Sequence, residues 1–530
     1  MIFMSVAEIA AATGGAPLGV DNSQLDTLGV TFATTDSREV VPGTLFVAKP
    51  GEVTDGHKFV PVAFESGASL ALVEREVRAE SGELYPSVLV DDVVLAMGKL
   101  ATAVIAKIRA VRAERGEEPL RVFGITGSAG KTTTKDALAA MLRGSGETVA
   151  PVGSYNSEVG VPLTVFRADE NTRFLVIEMG ADRVGNIRYL ADMTGPDFGA
   201  VLKVGTAHAG EFGGVDNIER TKGELVEGVS SAIVLNADDE RVLRMSSRAS
   251  VPVQYFSASE PEEADRERTL AALNLRANEQ GCPEFTLRVP ASLNPAGVQE
   301  EYEISARLIG EHHVYNLLAA ASLALLAGVS AASIAESMNS VGAVSKWRMA
   351  RTDREDGVSV INDAYNANPE SMVAALQTLA QLGRGVPARR TWAVLGAMLE
   401  LGDASVEEHD RIGRFVVRMN ISKLIAVGDI AKPIYNAAHL EGSWGNEATW
   451  VETTEEAAQI LRAELAPGDI VLFKSSNGAR LGPLGDEIAF APEAYGRAED
   501  QAPTWLSAGD FVELTDMTKI FEQHNEEGAR

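Results

Sequence analysis

Cysteine is almost missing from this sequence: Cys282 is the only one in 530 residues. One cysteine excludes a disulfide within the chain and fits a reducing compartment, so we expect a cytoplasmic protein. Cys282 also lies outside every motif described below, which disfavours catalysis by a thiol.

Long apolar runs and excess positive charge are missing too. Runs such as FLVI and AIVL are far shorter than the roughly 20 residues of a membrane-spanning helix. The first residues, MIFMSVAEIAAATGG, lack the basic start of a signal peptide. A net charge of −28 disfavours a nucleic-acid partner, although a Gly-rich loop can still bind an anion through backbone N–H groups. We therefore expect neither a membrane nor a nucleic acid as partner.

The length allows about three domains, and three blocks separate along the chain. Residues 1–115 mix short strands, helices and turns, whereas 116–343 and 344–496 each alternate apolar strands with helices. Residues 497–530 form an acidic tail. Alternation of this kind predicts mostly parallel sheets. The expected fold is α/β with a mixed N-terminal domain, a central ATPase domain of the P-loop type and a C-terminal Rossmann-like domain.

Two charged stretches interrupt this pattern. Residues 112–119, RAERGEEP, are predicted to be a linker between the first two blocks. Residues 256–305 are charged and contain proline, and we expect an elaboration of the central domain outside its core.

The stretch GITGSAGKTTTK, residues 124–135, lies between a strand pattern and a helical pattern. Its G-x-x-G-K-T spacing is shorter than the strict P-loop, G-x-x-x-x-G-K-[ST]. Small residues still let the backbone approach an anion, and the following helix points its N-terminus at it. Lys131 would reach the terminal phosphates and Thr132 would bind Mg²⁺; the alternative is an ordinary tight turn. The predicted nucleotide loop comprises Gly127, Ser128, Ala129, Gly130, Lys131, Thr132 and Thr133.

Two further side chains follow strands of the same block. Glu178 ends RFLVIE, where an NTPase commonly keeps a carboxylate linked to Mg²⁺, and His208 follows the next strand in KVGTAHAGEF. Ligands of parallel sheets bind at the carboxyl ends of the strands. His208 is either a metal ligand or an ordinary polar loop residue.

Lys222 lies in DNIERTKGELVEGV, where Asp216 and Glu219 predict a helix start of the D-x-x-E type. The apolar stripe of that helix contains Ile218, Lys222, Leu225 and Val229. A lysine that points inward must be paired, shift its pKa or be chemically changed. The alternative is a side chain that runs past the stripe to water.

Motifs across the chain now define a resemblance. In order they are GSAGKTTTK, YNSEVGVPLT, VIEMGA, TAHAGEF, TKGE, LNADD, GEHHVYNLLAA, KWRM, NDAYNANPESM, VLGAMLELG and VLFKSSNGARL. The sequence resembles the Mur ligase family, the ATP-dependent amide-forming enzymes of peptidoglycan precursor synthesis. YNSEVGVPLT and DAYNANPESM are typical of members that join D-Ala-D-Ala to UDP-N-acetylmuramoyl-tripeptide. The DNPR-type motif of members that add diaminopimelate is absent from the sequence.

The resemblance implies ATP and two Mg²⁺ ions as cofactors. Lys131, Lys222, His208 and Arg348 are the residues that it implies for the chemistry. Thr132 and Glu178 would hold one metal ion and His208 a second. Lys222 matches the carbamoylated lysine of the family, a modification that turns a cation into an anionic oxygen ligand.

The resemblance also assigns the ligands. Asn316 and His313 would contact adenine, Arg348 the γ-phosphate, and Asp363 the ribose and phosphates; many members have Asn where His313 stands. The uridine would lie on Ser37 and Arg38. The remaining substrate contacts implied are Asn156, Ser157, Tyr365 and Asn366, and, near the incoming dipeptide, Lys474, Ser475 and Asn477. We expect a monomer.

Other functions compete with this interpretation. The nearest is a related amide ligase that adds a diamino acid to the dipeptide precursor, or glutamates to folate. A P-loop kinase or a switch NTPase belongs to a different class, but it would require neither the stretch DSREVVPGTLF, residues 36–46, which contains Ser37 and Arg38, nor an inward lysine at position 222. A binding module without catalysis is disfavoured because Lys131, Glu178, His208 and Lys222 are all present.

Overall fold

The computed structural model describes residues 1–51, 54–205, 212, 214–385, 387–442 and 446–490. The predicted acidic tail, 497–530, lies outside these residues. Three main β-sheets of five, nine and six strands follow one another along the chain, with one additional two-stranded pair near the N-terminus. Within the described ranges, no helix is both long and apolar enough to cross a membrane.

The N-terminal region carries the five-stranded sheet. Its strands, in sheet order, are Ala16–Leu18, Ser87–Leu89, Ala68–Val73, Thr44–Val47 and Phe32–Thr34, and only the first pair is antiparallel. Met4–Ser5 pairs separately with Gly29–Val30. The α-helices are Val6–Thr13, Val60–Glu65 and Val93–Glu114, and the 3₁₀-helices are Asn22–Gln24, Ser37–Glu39 and Gly56–Phe59.

The central region carries the nine-stranded sheet. Its strands, in sheet order, are Glu300–Ser305, Pro283–Val289, Thr269–Ala277, Val253–Ser257, Ala232–Asn236, Phe198–Val201, Arg121–Thr126, Phe174–Glu178 and Thr148–Val149. The first three are antiparallel to one another and the rest run parallel. The helices are Lys131–Arg143, Gly160–Val165, Asn186–Thr194, Val215–Lys222, Glu224–Gly228, Glu240–Arg244, His313–Leu326 and Ala331–Ser340, with 3₁₀-helices at Met245–Arg248 and Arg266–Arg268.

The central strands are continuous apolar runs because helices cover both faces of the sheet. Val122 packs into a core shared with the long helix Val93–Glu114, and its neighbour Phe123 packs on the opposite side against Lys131–Arg143 and His313–Leu326. The parallel arrangement brings the carboxyl ends of Arg121–Thr126 and Phe174–Glu178 to the same edge.

The C-terminal region carries the six-stranded sheet. Its strands, in sheet order, are Ala350–Asp353, Ser359–Asn362, Ile470–Lys474, Thr391–Leu395, Lys423–Val427 and Ala448–Val451, parallel except for the first pair. The α-helices are Pro369–Gly383, Ser405–Arg418, Lys432–Gly442, Thr454–Glu464 and Leu481–Ala489, and the 3₁₀-helices are Gly402–Ala404, Asp429–Ala431 and Asn477–Ala479.

The expectation about residues 256–305 is wrong. Residues 256–305 extend the central sheet, and Leu270, Phe285 and Leu287 are buried in its core, because alternate residues of these strands are apolar. Of the predicted linker 112–119, the first residues end the helix Val93–Glu114 and the rest connect it to the strand Arg121–Thr126. Arg112 is buried there and donates to the carbonyls of Glu118 and Glu170.

Candidate active site

The nucleotide loop is held by the segment that follows the neighbouring strand Phe198–Val201. The backbone N–H of Ser128 donates to the Lys203 carbonyl at 2.9 Å, and the Ser128 hydroxyl accepts from the Gly205 N–H, also at 2.9 Å. The helix begins at Lys131, directly after Gly130, whose φ of 85° lies in the left-handed region. Lys131 Nζ donates to the Gly127 carbonyl at 2.7 Å, so the amine folds back over the loop. A phosphate in the loop would meet this amine and the helix N-terminus together.

Thr132 and Glu178 meet at the end of the adjacent strands. Thr132 Oγ1 donates to Glu178 Oε2 at 3.0 Å, and Asn156 Nδ2 donates to Glu178 Oε1 at 2.8 Å. Glu178 is 1% exposed. A hydroxyl beside a buried carboxylate offers the hard oxygen ligands that Mg²⁺ prefers. Among the described residues no group of three or more His, Cys, Asp and Glu side chains is arranged for a metal ion.

Arg348 reaches this point from the segment that joins the central and C-terminal regions. Its Nη2 donates to Thr132 Oγ1 and to Ser154 Oγ, each at 3.2 Å. The guanidinium lies over the ring of Tyr365, 4.4 Å from its centroid, a cation–π contact. The predicted γ-phosphate residue therefore lies beside the predicted metal ligand.

The far end of the same cavity contains His313 and Asn316. Asn316 Nδ2 lies 3.0 Å from His313 Nδ1, and Thr134 Oγ1 donates to Asn316 Oδ1 at 3.4 Å. Burial, assisted by His312, lowers the pKa of His313 well below its ordinary value, so the ring is neutral. His313 Nε2 is buried and has no hydrogen-bond partner among the described residues. A neutral ring that accepts at Nδ1 has its proton at Nε2, ready for an acceptor on a ligand.

Lys474 occupies a different place from the one predicted. It is buried, and its Nζ lies 2.5 Å from Asp363 Oδ2 and 3.1 Å from the carbonyl of Asn366. Asp363 Oδ1 accepts from the Met349 N–H at 3.1 Å. Lys474 thus fixes the aspartate predicted to meet the ribose, and it lines the nucleotide cavity.

Lys222 is buried, as its place on the apolar stripe predicts, and is 4% exposed. Burial and then the nearby charge of Lys131 lower its pKa from 10.5 to about 7. The cost of burying a charge therefore favours the neutral amine. Lys222 ends the helix Val215–Lys222 and lines a cavity together with Lys131.

The predicted start of that helix is wrong. The helix begins after Gly214, and the carboxylates of Asp216 and Glu219 instead accept from Arg241, each at 2.8 Å. An arginine from another helix outcompetes the local capping pattern because a charge-assisted hydrogen bond is stronger than a neutral one. His208 lies outside the described residues, and its role stays a prediction.

Two cavities meet at the nucleotide loop. The nucleotide cavity, about 440 Å³, extends from the loop to Asn316 and Asp363. The acceptor cavity, about 490 Å³, extends from the loop to Lys222 and Asn477. Both are lined by Ser128, Lys131, Asn156, Tyr365 and Asn366.

Three predicted substrate residues lie outside both cavities. Ser37 and Arg38 form a 3₁₀-helix on the N-terminal region, and the side chain of Arg38 is 78% exposed and paired with Asp36. Ser475 is fully buried. Ser157 lines the acceptor cavity, but its hydroxyl also accepts from the Gly160 N–H at 3.3 Å.

Sequence reasoning missed several residues of the nucleotide cavity: Ser154, His312, Tyr315 and Asp238. Ser154 directly precedes the YNSE motif, which was the available signal. Asp238 belongs to LNADD, and burial together with Asp238 raises the pKa of Tyr315 to about 12. His312 gave no signal separate from that of His313; burial lowers its pKa to about 4.

Comparison with known proteins identifies the family of the chain. Three family profiles match: the Mur ligase family, catalytic domain over residues 29–107, the Mur ligase middle domain over 125–324 and the Mur ligase, glutamate ligase domain over 347–477. The chain therefore belongs to the Mur ligase family.

Individual proteins are similar over most of the chain. The UDP-N-acetylmuramoyl-tripeptide–D-alanyl-D-alanine ligase of Mycobacterium bovis is 41% identical over 520 residues, with 92% of this chain and 98% of that protein covered. The ligase of the same name from Escherichia coli (strain K12) is 32% identical over 422 residues, with 79% and 86% covered. A crystal structure of MurF from Acinetobacter baumannii superposes with a TM-score of 0.76 at 28% identity and covers 92% of this chain and 99% of that one. The predicted family and the three-domain α/β fold are confirmed.

Proposed function

We propose that this chain is an ATP-dependent amide ligase that joins D-Ala-D-Ala to UDP-N-acetylmuramoyl-tripeptide through an acyl phosphate. The observation that carries this proposal is the shared wall of the two cavities. A phosphate in the nucleotide loop and a carboxylate in the acceptor cavity would both lie at Lys131 and Asn156. Reactants held side by side in this way need no protein nucleophile.

The chemistry follows from this placement. An oxygen of the tripeptide carboxylate attacks the γ-phosphorus, the bond to ADP breaks, and an acyl phosphate forms. The amine of D-Ala-D-Ala then attacks the acyl carbon, loses a proton and expels inorganic phosphate. Lys131 and Arg348 stabilise the negative charge that develops on the transferred phosphoryl group. Arg348 lies in position for this because Ser154, Thr132 and the ring of Tyr365 orient it.

Thr132 Oγ1 and Glu178 Oε2 lie 3.0 Å apart and are hard oxygen ligands. Both residues would therefore hold one magnesium ion. When bound, Mg²⁺ neutralises phosphate charge. Asn156 holds the Glu178 carboxylate in place through its other oxygen. Asn316 and the Nε2 of His313 are assigned to adenine, and Asp363 to the ribose.

Lys222 is assigned as a carbamoylated lysine that, together with His208, serves a second magnesium ion. Carbamoylation requires a neutral amine to attack CO₂, and a pKa of about 7 makes that form abundant at cellular pH. The product is an anion beside Lys131, which replaces repulsion between two amines with attraction.

The remaining assignments concern the uridine and dipeptide sites, the oligomeric state and the cellular location. The uridine is assigned to Ser37 and Arg38, and the dipeptide to the side of the acceptor cavity that contains Asn477. One chain carries all three substrate sites, so a monomer suffices for the reaction. The single cysteine fits a location in the cytoplasm. Light scattering of the purified protein tests the monomer.

The decisive experiment is phosphate release by the purified protein with Mg²⁺, ATP and UDP-N-acetylmuramoyl-tripeptide, with and without D-Ala-D-Ala. We expect release that depends on the dipeptide, and a pentapeptide product of the expected mass. Release that requires the dipeptide precursor and a diamino acid would assign the chain to another reaction of the family. Hydrolysis indifferent to every precursor would overturn the ligase proposal.

A further inference from the structure

The C-terminal wall of the acceptor cavity is built from two loops that are joined along their length. Residues 396–401 follow the strand Thr391–Leu395, and residues 475–478 follow its neighbour Ile470–Lys474. The Ser476 N–H donates to the Ala397 carbonyl at 2.8 Å, and the Leu399 N–H donates to Ser476 Oγ at 3.0 Å. These hydrogen bonds therefore fix the two loops of the wall relative to each other.

Leu399 is the apolar side chain that this wall presents. It is 38% exposed and lines the acceptor cavity beside Asn477 and Gly478. The contact with Gly478 is close: a Cβ at that glycine would lie 3.1 Å from Leu399 Cδ1. The glycine thus leaves the room that the leucine fills. An aliphatic side chain exposed in a cavity of mixed polarity favours a ligand with small apolar groups.

His409 holds the loop of Leu399 from behind. Its ring is fully buried, its Nε2 accepts from the Met398 N–H at 2.9 Å, and its Nδ1 lies 2.6 Å from the Ser405 carbonyl. These two contacts require the proton on Nδ1 and a free lone pair on Nε2. Met398 directly precedes Leu399, so the ring fixes the backbone from which the leucine projects.

We propose that Leu399 selects the methyl side chains of the acceptor dipeptide, and that His409 is a positioning residue that holds Leu399 against them. This inference rests on the proposed function and deepens it. Loss of one methyl contact in a pocket of this kind changes kcat/KM by about 10-fold or more.

The test removes one methyl group of the dipeptide at a time and, in the protein, truncates the side chain of Leu399. kcat/KM of the full chain is measured for D-Ala-D-Ala, Gly-D-Ala and D-Ala-Gly, with the wild type, Leu399→Ala and the control Leu243→Ala. Leu243 is 40% exposed, similar to Leu399, and lies on the helix Glu240–Arg244, outside the lining of both cavities. We expect the wild type and L243A to prefer D-Ala-D-Ala over one glycine analogue by about 10-fold, and L399A to reduce this preference to about 3-fold or less.

The outcomes are distinct. A preference that survives in L399A, or one that the wild type never shows, overturns the role of Leu399. A wild type that uses none of the dipeptides contradicts the proposed function instead.

His409 is tested by His409→Leu, which removes the acceptor for Met398, and by His409→Gln, which offers an amide oxygen in its place. We expect H409L to raise KM for D-Ala-D-Ala about 10-fold with KM for ATP unchanged, and H409Q to recover most of that loss. The control is His57→Leu, a ring 3% exposed that accepts from the Glu74 N–H in the N-terminal region. A lower Tm in H409L with KM for the dipeptide unchanged would show that His409 is merely structural.

Discussion

Thr132 Oγ1 and Glu178 Oε2 lie 3.0 Å apart, although 46 residues separate them in sequence. The parallel register of Arg121–Thr126 and Phe174–Glu178 brings the strand ends together, and the helix that starts at Lys131 presents the threonine. Because Glu178 is buried, water screens its carboxylate little, and the carboxylate interacts strongly with a cation that binds beside it.

Glu178→Gln keeps the shape of this pair and removes the charge. We expect kcat to fall about 100-fold or more and the Mg²⁺ concentration for half-maximal rate to rise, because a neutral amide is a weaker ligand. Initial rates over a magnesium titration provide the measurement. Asp469→Asn is the matched control, since Asp469 is 3% exposed, accepts from Arg390 and Trp392 and lines neither cavity. An equal loss in both variants would argue against a metal ligand at position 178.

The proposed carbamoylation of Lys222 should make the activity depend on pH and on CO₂. Its amine titrates at about 7, and only the neutral form reacts with CO₂. In buffer depleted of CO₂ we expect activity to fall, most strongly below about pH 7, and added bicarbonate to restore it. Initial rates from pH 6 to 9 with and without bicarbonate test this. Activity that ignores bicarbonate across that range would contradict carbamoylation.

Lys222→Met separates stability from activity. The pKa of the folded state lies below the ordinary lysine value of 10.5, so the unfolded chain binds the proton more readily. An unmodified Lys222 therefore lowers stability progressively as pH falls from about 10.5 to about 7. Removal of the amine is expected to abolish activity while Tm at pH 7 stays equal or rises. A large drop in Tm would indicate that the lysine is required for folding.

Patterns in the sequence predicted the strands of the central and C-terminal sheets well. Continuous apolar runs such as FLVI are buried on both faces, and burial on both faces is what such runs specify. The pattern failed over 256–305, where alternation of charged and apolar residues marks strands with one solvated face.

The site was predictable where a motif follows a strand end. Lys131, Thr132 and Glu178 lie together because strand register sets their positions. Lys474 was misplaced because its direction depends on Asp363, a partner 111 residues away. Ser154 and Tyr315 were missed although motifs flank or contain them, because the sequence does not show which residues of a motif face the cavity.

Tyr365 is expected to position Arg348 through its ring. Tyr365→Phe keeps the aromatic face 4.4 Å from the guanidinium, whereas Tyr365→Leu removes it. A cation–π contact contributes about 1 kcal/mol, so kcat/KM for ATP should fall about 5-fold in Y365L and stay within about 2-fold in Y365F. Steady-state kinetics with saturating acceptor substrates provide the measurement. Equal losses in both variants would assign the role to the hydroxyl instead.

Gly130 is required twice, for its backbone and for the space beside it. Its φ of 85° disfavours any side chain, and a Cβ there would lie 2.2 Å from Asn316 Oδ1. Gly185 is the matched control, because it also precedes a helix, has a φ of 95° and has nothing within 4 Å of an added Cβ. Both Gly130→Ala and Gly185→Ala carry the backbone strain, about 1 kcal/mol, and should lower Tm. Only G130A displaces Asn316, so only G130A should raise KM for ATP, by about 10-fold or more. A KM for ATP that is unchanged in G130A, or raised equally in G185A, would contradict the assignment of Asn316 to the nucleotide.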